Sequence, residues 1–218
     1  MSAASTAKPS STPRGRRTRR ASGDDRERAI LETAERLLEE RTLSEISVDD
    51  LARGAGISRP TFYFYFPSKD AVVLTIVERL VEVANSGREA ALANLTEEPR
   101  AGWRLGLEAI YEAFRSRRSI LLAAVELHSV NAEARELWSR VQQDWVDDVA
   151  TLIEAERARG AAPVGVPARE LAIALVQMNE RSQYANFVGE TPALPHERMV
   201  DVLVEIWLRA IYGTTETG

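Results

Sequence analysis

The sequence predicts an all-α fold of about nine helices, and three observations carry that prediction. Ala, Leu, Glu and Arg dominate the 218 residues, of which 44% are hydrophobic, the ordinary share of a globular protein. Apolar residues recur at spacings of three and four rather than two, which is the period of one helical face. Proline and glycine punctuate these periodic stretches, at 54–60, at Pro99 and in the GAAPVGVP of 160–167.

Residues 1–22 combine Ser, Thr, Ala, Pro and Arg without apolar periodicity and cannot bury enough surface to offset the entropy of ordering, so a disordered arm is expected. They carry six basic side chains and no acid, so the total of −5 places −11 on the remainder. A basic arm on an acidic body suits a phosphate-bearing partner met locally rather than by the whole surface. Within the arm, 14–20 holds five arginines in seven residues, a pattern that fits a tether along phosphates or in a minor groove and equally a solubilising tail.

From 24 to 41, Ile30, Leu31, Ala34, Leu37 and Leu38 form one stripe, with Asp24 and Asp25 at the positive end of the helix. Ser47 and Asp50 have the spacing of a capping box and open a short helix carrying Val48, Leu51 and Ala52, which Gly54 and Gly56 end. Ser58 caps a second short helix with Pro60 in its first turn, where a missing N–H costs little. Pro67 stops it and Ser68 starts a helix running to about residue 95. Further helices are expected after Pro99, around 120–127, over 133–159, 168–188 and 196–212. The domain boundaries follow: 1–22 an arm, 23–67 a small module, 68–218 a larger helical body, with the helix from Ser68 shared.

Composition also excludes. Cysteine is absent, which removes disulfide, thiolate and Cys-zinc chemistry. The two histidines, His128 and His196, stand at no ligand spacing, and no Gly-rich phosphate loop or nucleophile elbow is present. An enzyme, a metal site and a cofactor are therefore not expected. No apolar run approaches the roughly 18 residues that span a bilayer, so no membrane partner and a cytoplasmic location are expected.

Two short helices joined by a glycine-containing turn and backed by a third make a helix-turn-helix. Ala52 is small where the helices cross, Gly56 suits a positive φ, and Ile57 points back to the core. Five aromatics lie in GISRPTFYFYFPSK, 56–69; Phe62 and Phe66, four apart, are expected to pack inward with Leu51 and Val48. Arg59, Thr61, Tyr63 and Tyr65 then fall on other faces, Phe64 has no assignment, and Lys69 begins the next helix near the path of a phosphate backbone.

The block 46–71, ISVDDLARGAGISRPTFYFYFPSKDA, resembles the TetR family of bacterial transcriptional regulators. SGDDRERAIL, the ELW of 136–138, AERARGAAP and the MNER of 178–181 extend the likeness to one repressor of that family over nearly the whole chain. The resemblance implies a homodimer, joined through its last two helices, that sets two reader helices on a near-palindromic double-stranded operator. On that pattern Arg59 reads a base, since a guanidinium bonds two acceptors of guanine, and Pro60 meets a thymine methyl. Ser47, Ser58, Thr61, Tyr63, Tyr65 and Lys69 position the helix on phosphates. The seven apolar residues Leu171, Leu175, Met199, Val202, Leu203, Ile206 and Ile211 supply the dimer face.

Four tryptophans, Trp103, Trp138, Trp145 and Trp207, all lie in the larger body. Composition alone leaves them either an aromatic core or the wall of a pocket, with Asn179 and Glu180 as polar atoms beside it. The resemblance implies the pocket: a mostly apolar channel for a hydrophobic small-molecule effector, lined by these tryptophans, Phe114 and Asn179. Gln142, Ile110 and Tyr184 also map to the channel, where the relative has methionine, phenylalanine and phenylalanine; Val176 and Asp148 replace an asparagine and a tyrosine. The resemblance also implies control of a neighbouring flavin monooxygenase gene of the kind that activates ethionamide. The alternative is a hydrophobic small-molecule or lipid binder without specific DNA binding.

Overall fold

The computed structural model describes residues 23–213 apart from 94 and 96, and all regular structure among them is helical. The basic arm expected over 1–22 lies outside the described residues. The helices are α1 (Gly23–Glu40), α2 (Val48–Gly54), α3 (Arg59–Tyr65), α4 (Lys69–Leu92), α5 (Pro99–Ser116), α6 (Arg118–Val130), α7 (Ala132–Ala158), α8 (Ala168–Val188) and α9 (Met199–Tyr212), with short 3-10 helices at Leu43–Glu45 and His196–Arg198.

The N-terminal module is fixed by its caps. Ser47 Oγ accepts from the Asp50 amide at 3.2 Å while Asp50 Oδ2 accepts from the Ser47 amide at 3.1 Å, so aspartate serves where glutamate is usual. α2 ends in a left-handed turn: Gly56 has φ 67°, the Ile57 N–H reaches the Ala52 carbonyl at 2.9 Å, and the Gly56 N–H reaches Arg53 at 3.1 Å. Ser58 and Ser68 cap α3 and α4 by accepting from Thr61 and Ala71 amides. Phe66, forced extended by the following Pro67, breaks the chain between them at φ −133°. Ile30, Leu31, Ala34, Leu51, Ala52, Phe62 and Phe66 are buried and make the module's core, continuous with Val72 and Val73 of α4.

The larger body packs α4 on α5, α7 on α8, and α9 across α5. α6 runs five residues longer than the expected 120–127, because Arg117 both ends α5 and starts α6 with no loop to signal the change. α9 expected from 196 begins as a 3-10 turn and becomes α-helical at Met199. No helix among the described residues is long and apolar enough to cross a membrane.

α4 is the element common to both parts. Its first turn belongs to the small module, and Leu74, Val77, Arg88 and Leu92 further along form one wall of a cavity in the body.

Candidate nucleic-acid interface and effector cavity

α3 divides by face. Phe62 is fully buried and Phe66 nearly so, their rings 6.2 Å apart, which holds the helix to α2 and α4. Arg59, Pro60 and Tyr63 are exposed and Thr61 is half-buried, forming the outward surface. Phe64, unassigned by sequence, is 83% exposed, an apolar ring left in water beside the reading face. Tyr65 is half-buried against the core, and its hydroxyl lies 3.9 Å from where a Gly23 Cβ would stand, beside the first turn of α1.

The polar residues are already engaged with one another. Arg59 donates through Nη1 to Asp49 Oδ2 at 3.0 Å and through Nη2 to the Tyr63 hydroxyl at 3.3 Å, with its guanidinium carbon 5.8 Å from the Tyr63 ring centre. The Tyr63 hydrogen bond and the Asp49 charge both raise the Arg59 pKa, so the side chain is a fixed cation. Asp49 places a carboxylate beside Arg59 on the exposed side of α3, and sequence spacing gave no sign of this pairing. Ser58 and Thr61 share a 2.8 Å hydroxyl contact, and Ser47 is exposed at the start of α2.

Lys69 has partners that sequence spacing did not indicate. Its ammonium donates to the carbonyls of Leu43 and Ile46 at 2.7 and 2.8 Å, closing the end of the first 3-10 helix onto α4. Two of its three donors are committed there, so its first role is to brace the module.

In the larger body a cavity of about 520 Å³ runs among α4 to α9, within the range of small-molecule sites. Eight of the nine expected residues line it: Trp103, Ile110, Phe114, Trp138, Trp145, Asn179, Tyr184 and Trp207. The ninth, Gln142, does not; it donates to Glu180 Oε2 from behind the wall. The aromatics form two clusters. Trp103 and Trp207 lie 5.0 Å apart, while Phe114, Trp138 and Trp145 meet edge-to-face at 6.0–6.3 Å, the geometry ring quadrupoles favour.

Each indole N–H has an acceptor: Trp103 on Tyr212 at 3.1 Å, Trp138 on Glu180 at 2.8 Å, Trp145 on Asn85 at 2.7 Å, and Trp207 on Asn179 at 3.0 Å. The tryptophans therefore present apolar faces to the cavity. Because Asn179 Oδ1 is used by Trp207, its amide nitrogen is the remaining polar group on that side chain. Behind Trp103, the Tyr212 hydroxyl donates to buried Glu156 at 2.8 Å, and burial pushes its pKa well up. Arg88, Leu107, Val176, Gln183 and Phe187 also line the cavity. Arg88 carried a readable signal, a charge on the apolar row Val77, Val81, Ala84.

The residues expected at the dimer face split. Leu175, Met199, Leu203 and Ile211 are buried in the subunit's own core, whereas Leu171 and Val202 are half-buried and Ile206 is 40% exposed. Ile173, at 37%, joins Ile206 as an exposed apolar side chain on these two helices.

A cap-defined helix-turn-helix joined by one helix to a body with an apolar cavity is the architecture of a one-component transcriptional regulator, and comparison with known proteins is specific on this point. Residues 30–76 match the family described as bacterial regulatory proteins, tetR family, and residues 103–213 match the C-terminal domain of the transcriptional regulator EthR. The HTH-type transcriptional regulator EthR of Mycobacterium tuberculosis is 52% identical over 210 residues, covering 96% of this chain and 97% of the relative. That of Mycolicibacterium smegmatis is 49% identical over 213 residues, covering 98% of each. The chain belongs to the TetR family of transcriptional regulators, in the EthR-like group. Two solved structures share the fold: a TetR-family regulator from Syntrophomonas wolfei with TM-score 0.69 and 17% identity, covering 87% of this chain and 97% of that one, and the repressor FadR of Thermus thermophilus in complex with lauroyl-CoA, with TM-score 0.62 and 20% identity, covering 85% and 94%.

Proposed function

We propose that the chain represses transcription as a homodimer, placing the two α3 helices in successive major grooves of a near-palindromic operator, and that a hydrophobic effector in the cavity releases it. The observation that carries this reading is the continuity of α4: its first turn is bound to the module through Lys69, and its later turns wall the cavity. An effector that fits only when α4 is tilted shifts the population away from the operator-competent spacing, to the extent of its difference in affinity for the two states. In this reading residues 23–67 are the DNA-binding domain and 68–218 the effector and dimer domain, with 1–22 as a phosphate tether. Arg59 reads a base, Pro60 lies against a thymine methyl, and Ser47, Ser58, Thr61, Tyr63 and Tyr65 position the helix; Lys69 acts mainly by holding the module.

The dimer is proposed to form on the exposed apolar side of α8 and α9, centred on Ile173 and Ile206. Ile206→Glu is expected to give monomers in sedimentation analysis and to lose operator binding; a dimer that survives the change places the interface elsewhere. Selecting duplexes from random DNA and measuring binding by anisotropy at two salt concentrations tests the whole. Half-sites spaced by one helical turn or a multiple, and a salt slope that falls on removal of 1–22, are expected. Binding without sequence preference would overturn the reading. The same selected sequence tests control of a neighbouring flavin monooxygenase gene, which rests on the resemblance alone.

A further inference from the structure

The cavity wall holds one charged donor whose chemistry is not answered by the protein. Arg88 is 6% exposed, lines the cavity, and has a buried Nε–H with no acceptor. Its one hydrogen bond among the described residues runs from Nη2 to Asp148 Oδ2 at 2.5 Å. The pair is lopsided: the Asp148 side chain is 53% exposed and that of Arg88 only 7%, so the counter-charge sits in water while the guanidinium does not. A buried cation with an orphaned donor and a screened partner is a receptor for an anionic oxygen, since charge-assisted bonds to a guanidinium are among the stronger ones.

The surroundings prepare that group. One turn earlier on the same helices, Asn85 accepts from the Trp145 indole at 2.7 Å, so α4 and α7 are tied beside Arg88 and the guanidinium is held in place. With all four indole N–H groups occupied, Arg88 Nε is the buried donor of the cavity wall left without a partner among the described residues, and the other polar groups there, on Asn179, Gln183, Tyr184 and His128, are not guanidinium cations. Glu180, a carboxylate on α8 that also lines the cavity, already accepts from Trp138 and Gln142 and repels an anion, which directs an acidic head towards α4. We propose that the effector is an amphipathic carboxylate, its acid bound by Arg88 and its hydrocarbon body between the tryptophan clusters. The inference rests on the reading of this cavity as the effector site.

Decanoate, decanamide and decylamine share a chain and differ in head group, and calorimetry with the full-length dimer at neutral pH compares them. Decanoate is expected to bind at least about tenfold more tightly than decanamide, and decylamine more weakly than either. Arg88→Leu is expected to abolish the advantage of decanoate while leaving decanamide within about threefold of wild type. Asp148→Asn, an exposed change, is expected to enlarge that advantage severalfold by removing the competing anion. Equal binding of decanoate and decanamide, or a preference unchanged by Arg88→Leu, overturns the inference and leaves the cavity reading standing. Should Arg88→Leu fail to fold, Asp148→Asn decides, and no gain in preference overturns the inference. If none of the three probes binds wild type, the cavity reading falls and this inference with it.

Discussion

Gly54 closes α2 against α1, and Gly54→Ala tests how the reader module is held. A Cβ at that position would stand 2.3 Å from Thr33 Cγ2 and 3.2 Å from Thr33 Oγ1. Carbon atoms prefer roughly 3.5–4.0 Å, so the overlap exceeds an ångström. Thr33 has little freedom to move aside: it is β-branched, 5% exposed, and its hydroxyl donates to the Ala29 carbonyl at 2.7 Å. α1 and α2 must therefore separate, an overpacking that costs about 1–3 kcal/mol. Alanine recovers about 0.5–1 kcal/mol over glycine within a helix, so the net loss is at most about 2.5 kcal/mol and about 1 kcal/mol at mid-range. Thermal unfolding, with about 2–4 °C per kcal/mol at this size, would show it as a drop of a few degrees. The decisive comparison is a double-mutant cycle. With Thr33→Ala both clashing atoms are gone, and Gly54→Ala should become neutral or stabilising, giving a coupling of about 1 kcal/mol or more. An equal cost in both backgrounds would refute the close approach as its cause.

Asp49→Ala frees the Arg59 guanidinium and removes an anion from the surface proposed to meet DNA; operator affinity should rise by up to about fivefold, since an exposed ion pair is worth at most about 1 kcal/mol. Anisotropy measures it, and a loss of affinity in a folded variant would mean Asp49 orients Arg59 rather than restraining it. The Asp50 carboxyl is held below the ordinary carboxylate range by the Ser47 side-chain and backbone hydrogen bonds, and Glu45 likewise by Thr42. Stability from both is fully present above the unfolded carboxylate pKa and is lost as pH falls through the lowered values. Carboxyl NMR titration should find the Asp50 pKa rising towards ordinary in Ser47→Ala, and an unmoved value would dismiss the capping box as its cause. Because the chain has no cysteine, Phe64→Cys at an 83% exposed site allows one spin label per subunit. The label-to-label distance should change when effector releases the operator, and a constant distance would rule out altered reader spacing.

Local interactions were legible in the sequence. The capping serines, Gly56 and the prolines act within a few residues, so α1 to α4 were bounded closely without any tertiary information. The face division of α3 followed from an i, i+4 pair, but Phe64 did not, because a ring left in water contradicts the burial rule used to place it. Partners far along the chain were hidden. Lys69 takes carbonyls 26 and 23 residues away, and Arg88 meets Asp148 across 60. Periodicity marks α9 as apolar on more than one side without saying which side faces its own core, which is why Leu203 and Ile206 were grouped together. Gln142 shares a helix with two lining tryptophans, yet its half-buried amide turns to Glu180, a charged acceptor that an apolar cavity does not offer.

The length of α4 sets how small a change at the cavity needs to be. Lys69 and Arg88 are 19 positions apart on α4. At about 1.5 Å per residue that separation is roughly 29 Å along the axis. A tilt of about 5° at the cavity end moves the Lys69 end by roughly 2.5 Å, and two subunits moving oppositely change the reader spacing by about 5 Å against a half-site repeat of about 34–36 Å. Base-edge hydrogen bonds span a window of about half an ångström, so such a shift removes them from at least one half-site. The lever transmits because its DNA end is pinned: the Lys69 ammonium fastens it to the carbonyls of Leu43 and Ile46, and Val72 and Val73 pack in the core shared with the module. The cavity end is held by fewer polar contacts, chiefly Asn85 on Trp145 and Arg88 on Asp148, and the second of these is half in water. A ligand that competes for Arg88 acts on one of the few polar contacts at the cavity end of the helix, and a tenfold release of operator needs a difference of only about 1.4 kcal/mol between the two states.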